Sequence, residues 1–222
     1  MGKTSSFSAL NLTTIPFSEH DCVFENRFVL AGSLDEKDPP RDLSRNPTMR
    51  LFLTAPYPFK VQFSMMHLCL NGQMRVRLNL NEYELHRHSL LIIPPGSIGQ
   101  CLYLSADCQI ALLAFSNDHI FTEDNSEGAL IVRKFLSRQS LLELTDTQTS
   151  EILAIYRALR DKLRQPDFRF KHDILKGYLQ VLYGQLCQLM APLVEEQDAR
   201  QGSRKKQIFD RFLEELRLHY IA

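Results

Sequence analysis

Tryptophan is missing from all 222 residues, and no Cys-x-x-Cys pair occurs. The five cysteines, Cys22, Cys69, Cys101, Cys108 and Cys187, are scattered and odd in number. That excludes a disulfide-stapled secreted scaffold and a zinc ribbon. It points to buried, reduced thiols in a reducing compartment. No apolar run approaches the ~18 residues that a membrane helix needs. The opening MGKTSSFSALNL has no apolar block of the secretory kind. A soluble cytoplasmic protein with no membrane partner is expected. Net charge is missing too, with 26 Lys+Arg against 26 Asp+Glu. This excludes a strongly basic nucleic-acid coat and an acidic solvating tail. No P-loop, GxGxxG, nucleophile elbow or paired-carboxylate arrangement is present. What is present, 44% hydrophobic residues with 14 Phe and 7 Tyr, suffices for a real core.

The charge that exists is placed unevenly. From Thr48 to Ser116 only Arg50, Lys60, Arg75, Arg77, Arg87, Glu82, Glu84 and Asp107 are charged; from Asn117 onward there are 16 basic and 16 acidic residues. The first block is rich in β-branched, aromatic and turn residues, and the second shows helical spacing. The division reads as an arm and lead-in over 1–47, a sheet module over 48–116, a helical region over 117–196, and a linker with a terminal helix over 197–222. The fold class is α+β.

Within the sheet module, FKVQFSMMHLCL and QMRVRLNL flank Asn71-Gly72. An Asn-Gly pair between two β-like runs predicts a type I′ hairpin. The hairpin register would set Cys69 opposite Met74, His67 opposite Val76 and Met65 opposite Leu78, with Phe63 near Leu80. That face is almost wholly apolar, while the other is mixed and leaves Met66 and Leu68 for a helix or partner to cover. A turn near Leu80-Asn81 leads into EYEL, where Tyr83 and Leu85 continue the apolar face. LLII, IGQCLYL and QIALLAF follow, after a lead strand at MRLFL. Short antiparallel strands with regular turns predict a barrel or double-sheet jelly roll. Pro94-Pro95-Gly96 belongs at its rim.

Helices are predicted at about 126–138, 146–164 with Asp146 as N-cap and Pro166 as stop, 171–195 and 203–219. In the third, Leu175, Leu179, Leu182, Leu186, Leu189 and Leu193 repeat at 4, 3, 4, 3, 4. Such an a/d seam is read either as a dimerisation face or as packing within the chain. QDARQGSRKK reads as a linker. The last helix carries Ile208, Phe209, Phe212, Leu213, Leu216 and Tyr220 behind Arg204-Lys205-Lys206.

Chemistry-bearing residues are few. His86-Arg87-His88 invites a metal, but protein-held divalent metals want three or four ligands. Leu90 to Ile93, where further ligands would fall, are apolar. The pair reads as a solvated loop, and neither a metal nor another cofactor is expected. His67 differs, because the alternation points it into the apolar face. Unpaired and buried, its imidazole would cost on the order of 1–3 kcal/mol. It is either satisfied by the protein or contacts a ligand. If a small molecule enters, its site is His67 with Met65, Cys69, Phe63 and Tyr83. The apolar face carries no Asp or Glu for acid–base work, so a binding site is favoured over an enzyme.

In order, the strand pairs, NEYELHRHSLLIIPPGSIGQ, the helical segments, the linker and KKQIFDRFLEELRLHY resemble the N-terminal part of bacterial AraC-family transcriptional regulators. The similarity covers roughly residues 56–220. YEL with SLLIIPPG resembles the cupin-like barrel segment, and the terminal helix resembles the one that opens the DNA-binding domain. The resemblance implies an effector-binding, cupin-like barrel followed by a dimerisation hairpin. It implies a homodimer, and DNA contacted through a helix-turn-helix domain that the chain lacks. It also implies an N-terminal arm, up to Ile15, that covers the effector. Where many members carry a His three residues after the Pro-Gly, this chain has Gly99. A stand-alone metal-dependent cupin enzyme, an isomerase or dioxygenase, and a structural module with a dry barrel are the alternatives.

Overall fold

In the computed structural model the described residues are 8–15, 21–25, 27–32, 34, 58–116, 126–165 and 169–220. Eleven strands and three helices follow in chain order among them: β1 (Ser8–Leu10), β2 (Cys22–Phe24), β3 (Phe28–Gly32), β4 (Phe59–Val61), β5 (Ser64–Asn71), β6 (Met74–Leu78), β7 (Asn81–Leu85), β8 (Ser89–Ile93), β9 (Ile98–Leu104), β10 (Gln109–Phe115), α1 (Glu127–Leu136), β11 (Leu141–Glu143), α2 (Asp146–Arg164) and α3 (Lys171–Tyr220). The strands form a five-stranded sheet, β1-β4-β9-β6-β7, and a six-stranded sheet, β11-β8-β5-β10-β3-β2. All pairings are antiparallel except β1 with β4. This is the expected α+β class, a jelly-roll-like double sheet with helices.

The inner faces of the two sheets share one core. Phe59, Val61, Met74, Val76, Leu78 and Leu85 come from the five-stranded sheet. Met65, Cys69, Leu91, Ile93, Ile110, Leu112 and Ala114 come from the six-stranded one. Period-two alternation explains the selection. In β6 the pattern is strict, with Arg75 and Arg77 out and Met74, Val76 and Leu78 in. β8 and β10 are buried at every position, as expected of strands covered on both sides. Their outward set, with Met66 and Leu68 of β5, is buried as well. α2 buries Thr149, Ile152, Leu153, Tyr156, Leu159 and Leu163 and contacts β2 and β3.

Several expectations change. First, Asn71-Gly72 does not close a hairpin. β5 pairs with β8 and β10, while β6 pairs with β7 and β9. The turn passes the chain from one sheet to the other, so Cys69, His67 and Met65 do not pair with Met74, Val76 and Leu78. The inward sets are otherwise those expected, but they belong to opposing sheets, and Leu80, expected inward near Phe63, is exposed at the β6–β7 turn. Gly72 has φ +70°, and Asn71 is not in the positive-φ region that a type I′ turn requires. A Cβ on Gly72 would lie 2.5 Å from Ser105 Oγ and 2.6 Å from Cys108 Cα. The glycine therefore serves a close approach as well as a turn. The hairpin lies one step later, with Leu78 opposite Asn81 and Asn79 at φ 56°.

Second, residues 8–32, read as arm and lead-in, contribute β1, β2 and β3 to the sheets, and Leu10, Leu12 and Ile15 join the core. The lead strand expected at MRLFL and the stop at Pro166 lie outside the described residues. Third, Leu141–Glu143 is a strand on β8 rather than part of a helical region. Three residues are too few to show a period. Fourth, α3 runs unbroken through Pro192 and the segment read as a linker. Gln, Ala, Arg and Lys are good helix formers, and a single Gly costs only about 1 kcal/mol. The cap of α2 is Thr145, with a capping box to Gln148, in place of Asp146.

The chain divides into two compact units, 1–124 with 139–182, and 125–138 with 183–222. The first holds both sheets and α2. In the second, α1 lies along α3, with Phe135 fully buried. Lys134 and Arg138 both bind Asp198 and hold its carboxyl below the usual range.

Candidate functional site

The candidate site is the interior between the sheets. His67 sits in the middle of β5, opposite Leu112 of β10 on one side and Leu91 of β8 on the other. Strand alternation sends its ring inward with Met65 and Cys69. It is 2% exposed, and neither Nδ1 nor Nε2 has a hydrogen-bond partner. Burial alone holds its pKa down to about 4, so the ring is neutral at pH 7. A neutral imidazole has one N–H to give and one lone pair to receive with. Both are unused.

Phe63, Met65 and Cys69 are buried in the same core cluster, and Tyr83 packs against it. The five residues grouped by sequence reasoning thus belong to one interior. Cys69 is the one with its own polar contacts, to the Asn71 carbonyl at 3.4 Å and the Gly72 carbonyl at 3.8 Å. Among the described residues no Asp or Glu is buried. The interior offers hydrogen bonding and apolar contact, and no carboxylate. Leu10, Leu12 and Ile15, which sequence reasoning placed in the arm without singling them out, close the same core. The apolar spacing Leu10-x-Leu12-x-x-Ile15 was the available signal.

His86 and His88 part company. His86 is mostly exposed, 3.4 Å from Glu143. His88 is not the solvated loop residue expected. Its backbone has φ 74°, and its ring bonds Thr149 Oγ1 at 3.0 Å and Asp146 Oδ1 at 2.9 Å. It ties the β7–β8 turn to the first turn of α2. Among the described residues no group of three or more His, Cys, Asp or Glu is placed to hold a metal. No helix among them is long and apolar enough to cross a membrane.

The leucine row is largely occupied within the chain. Leu175, Leu179, Leu182 and Leu186 are buried, and Leu189 and Leu193 are half-buried. Toward the C-terminal end the buried positions shift to Met190 and Val194. A 3.6-residue helix drifts off a 3.5-residue seam, and intrachain packing follows the helix. Of the terminal apolar stripe, the described side chain is Ile208, which is exposed.

No protein-family profile matches the chain, and no curated protein is similar to it in sequence. Solved structures do match in shape. One is the AraC-like transcriptional activator CuxR, at 8% identity and TM-score 0.42, over 74% of this chain and 49% of that one. Another is apo ToxT from Vibrio cholerae, at 10% and 0.37, over 59% and 50%. A third is a cupin protein from Bacteroides fragilis, at 19% and 0.25, over 32% and 64%. The chain spans about half the length of the AraC-like chains it matches. Likeness of this degree says nothing of what this chain binds.

Proposed function

We propose that the interior between the two sheets binds a small molecule, and that the chain is the sensing part of an AraC-type transcriptional regulator. One observation carries the binding claim: His67 is buried with both ring nitrogens unpaired. An unsatisfied buried polar group costs on the order of 1–3 kcal/mol. A guest with an apolar body and a group that both accepts and donates would recover that cost. The guest is neutral, since the interior has no buried counter-charge among the described residues. The same lack of carboxylates supports binding without catalysis.

The regulatory half of the reading rests on the sequence resemblance. Effector binding would bias the arrangement of two protomers by its differential affinity for the two states. DNA would be met by helix-turn-helix units continuing from the terminal helix, in the cytoplasm. The homodimer would use the half-buried end of the row, Leu189 and Leu193. Sedimentation as a monomer at micromolar concentration would remove the dimer from this reading.

The test of binding is a thermal-shift screen of neutral metabolites on the wild type and on His67→Leu. A ligand of the native state raises stability by RT ln(1 + [L]/Kd). A compound that raises Tm in the wild type but not in the variant is the expected result. A broad panel that moves neither protein would favour a dry structural module.

A further inference from the structure

Two of the five cysteines meet. Cys69, near the end of β5, and Cys108, just before β10, are both buried in the same core cluster. Their meeting point is the Gly72 corner. Cys69 Sγ lies 3.8 Å from the Gly72 carbonyl oxygen, while a Cβ on Gly72 would lie 2.7 Å from the Cys108 nitrogen. The register leads there too. Cys69 is opposite Ile110 and Asn71 is opposite Gln109, so the irregularity between them leaves Leu70 as the extra residue of a bulge. The corner is clamped by Asn71 Nδ2 donating to the Asp107 carbonyl at 3.1 Å and by Gln73 N donating to Ser105 Oγ at 2.8 Å. Cys101 of β9 is half-buried, its thiol donating to the Tyr103 carbonyl at 3.5 Å. Cys22 and Cys187 lie elsewhere in the fold, on β2 and on α3.

We propose that Cys69 and Cys108 form a reversible dithiol–disulfide site for a hydroperoxide oxidant. The Cys69 sulfur attacks one peroxide oxygen and the O–O bond breaks. With hydrogen peroxide this gives a sulfenic acid on Cys69 and one water. The Cys108 sulfur then attacks the Cys69 sulfur, the S–O bond breaks, and the hydroxyl leaves with the Cys108 proton as a second water. In sum the two thiols lose two hydrogens and two electrons, the peroxide is reduced to two waters, and an S–S bond forms. A small dithiol reverses the step by exchange.

The roles of the two sulfurs follow from their surroundings. Cys69 Sγ reaches the Asn71 carbonyl at 3.4 Å and the Gly72 carbonyl at 3.8 Å, at the corner where the oxidant would enter, which makes Cys69 the attacking sulfur. Cys108, buried behind it just before β10, supplies the resolving thiol in the second step. Access needs the Asn71–Gly72 corner to open, so the rate reports that local opening. The site stands whether or not the interior binds an effector.

The test is peptide mapping of the whole native chain after an excess of hydrogen peroxide, with remaining thiols alkylated under denaturing conditions. The expected result is a linked Cys69–Cys108 peptide, an intact mass lower by about 2 Da for the two lost hydrogens, and reversal by dithiothreitol. The link should be lost in Cys69→Ser and in Cys108→Ser and kept in Cys101→Ser. Should a Ser variant fail to fold by circular dichroism, the map of the unmodified chain decides. Both thiols still open to alkylation, a link through Cys22, Cys101 or Cys187, or overoxidation without a link would each overturn the proposal.

Discussion

The two sheets of the sandwich solve the same packing problem differently. The five-stranded sheet keeps one face in water: Arg75 and Arg77 of β6 face Glu84 and Glu82 across the pair, and Leu80 at the hairpin tip is 98% exposed. The six-stranded sheet is buried on both faces along β8 and β10. A sheet that meets water announces its face by alternation. One sealed between a second sheet and helices does not, because every position is apolar. His67 lies in the sealed sheet, where an unpaired polar group costs most.

That contrast can be broken by mutation. A charge on the outer face of the sealed sheet should be the most damaging. Leu113→Asp places a carboxylate at a fully buried position, and a loss of about 4 kcal/mol or more is expected in urea unfolding. A loss below about 1 kcal/mol would mean the helices do not cover that face.

The second prediction concerns His67. Its pKa is held down to about 4 from 6.5, so between these values the unfolded chain binds more protons than the folded one. Stability must therefore fall as pH drops from about 6.5 toward 4. The loss from this group is on the order of 3 kcal/mol. His67→Leu should abolish that dependence and raise stability at pH 7 by about 1–3 kcal/mol. Parallel urea titrations at pH 7 and pH 4.5 measure both, and an unchanged pH slope in the variant would refute the burial.

A smaller gain is expected at Tyr156. This side chain of α2 is fully buried, and its hydroxyl has no partner; burial also raises its pKa. Tyr156→Phe should stabilise by about 1 kcal/mol, and a clear destabilisation would show that the hydroxyl is satisfied. The smallest effect belongs to the open sheet. Arg77 pairs with Glu82 with both side chains about half exposed, and Arg77→Ala should cost no more than about 0.5 kcal/mol. A cost near that of Leu113→Asp would erase the distinction between the sheets.

Legibility in the sequence follows the same division. The span of α2 was readable because its apolar row repeats over five turns, although its cap was not, since Thr145 and Asp146 are both good cap residues. The inward sets of β5 and β6 were readable from alternation. The partner of each was not, because Asn71-Gly72 reports that the chain turns and carries no information on whether the next strand pairs with the last or crosses to the other sheet. The short strands at 8–10, 22–24 and 141–143 offer too few residues for a period to appear. The six leucines of α3 formed a clear row, but a row of apolar residues is indifferent to what covers it.

For the candidate site, the sequence was enough to single out His67 with Met65, Cys69, Phe63 and Tyr83, because a strand that alternates must send them to one side. Only the tertiary structure could show that both nitrogens of His67 are unpaired, that the arm closes the same core, and that Cys69 meets Cys108. Alternation along a strand is a local property set by backbone geometry. Pairing between groups distant in the chain is decided by how the whole chain packs.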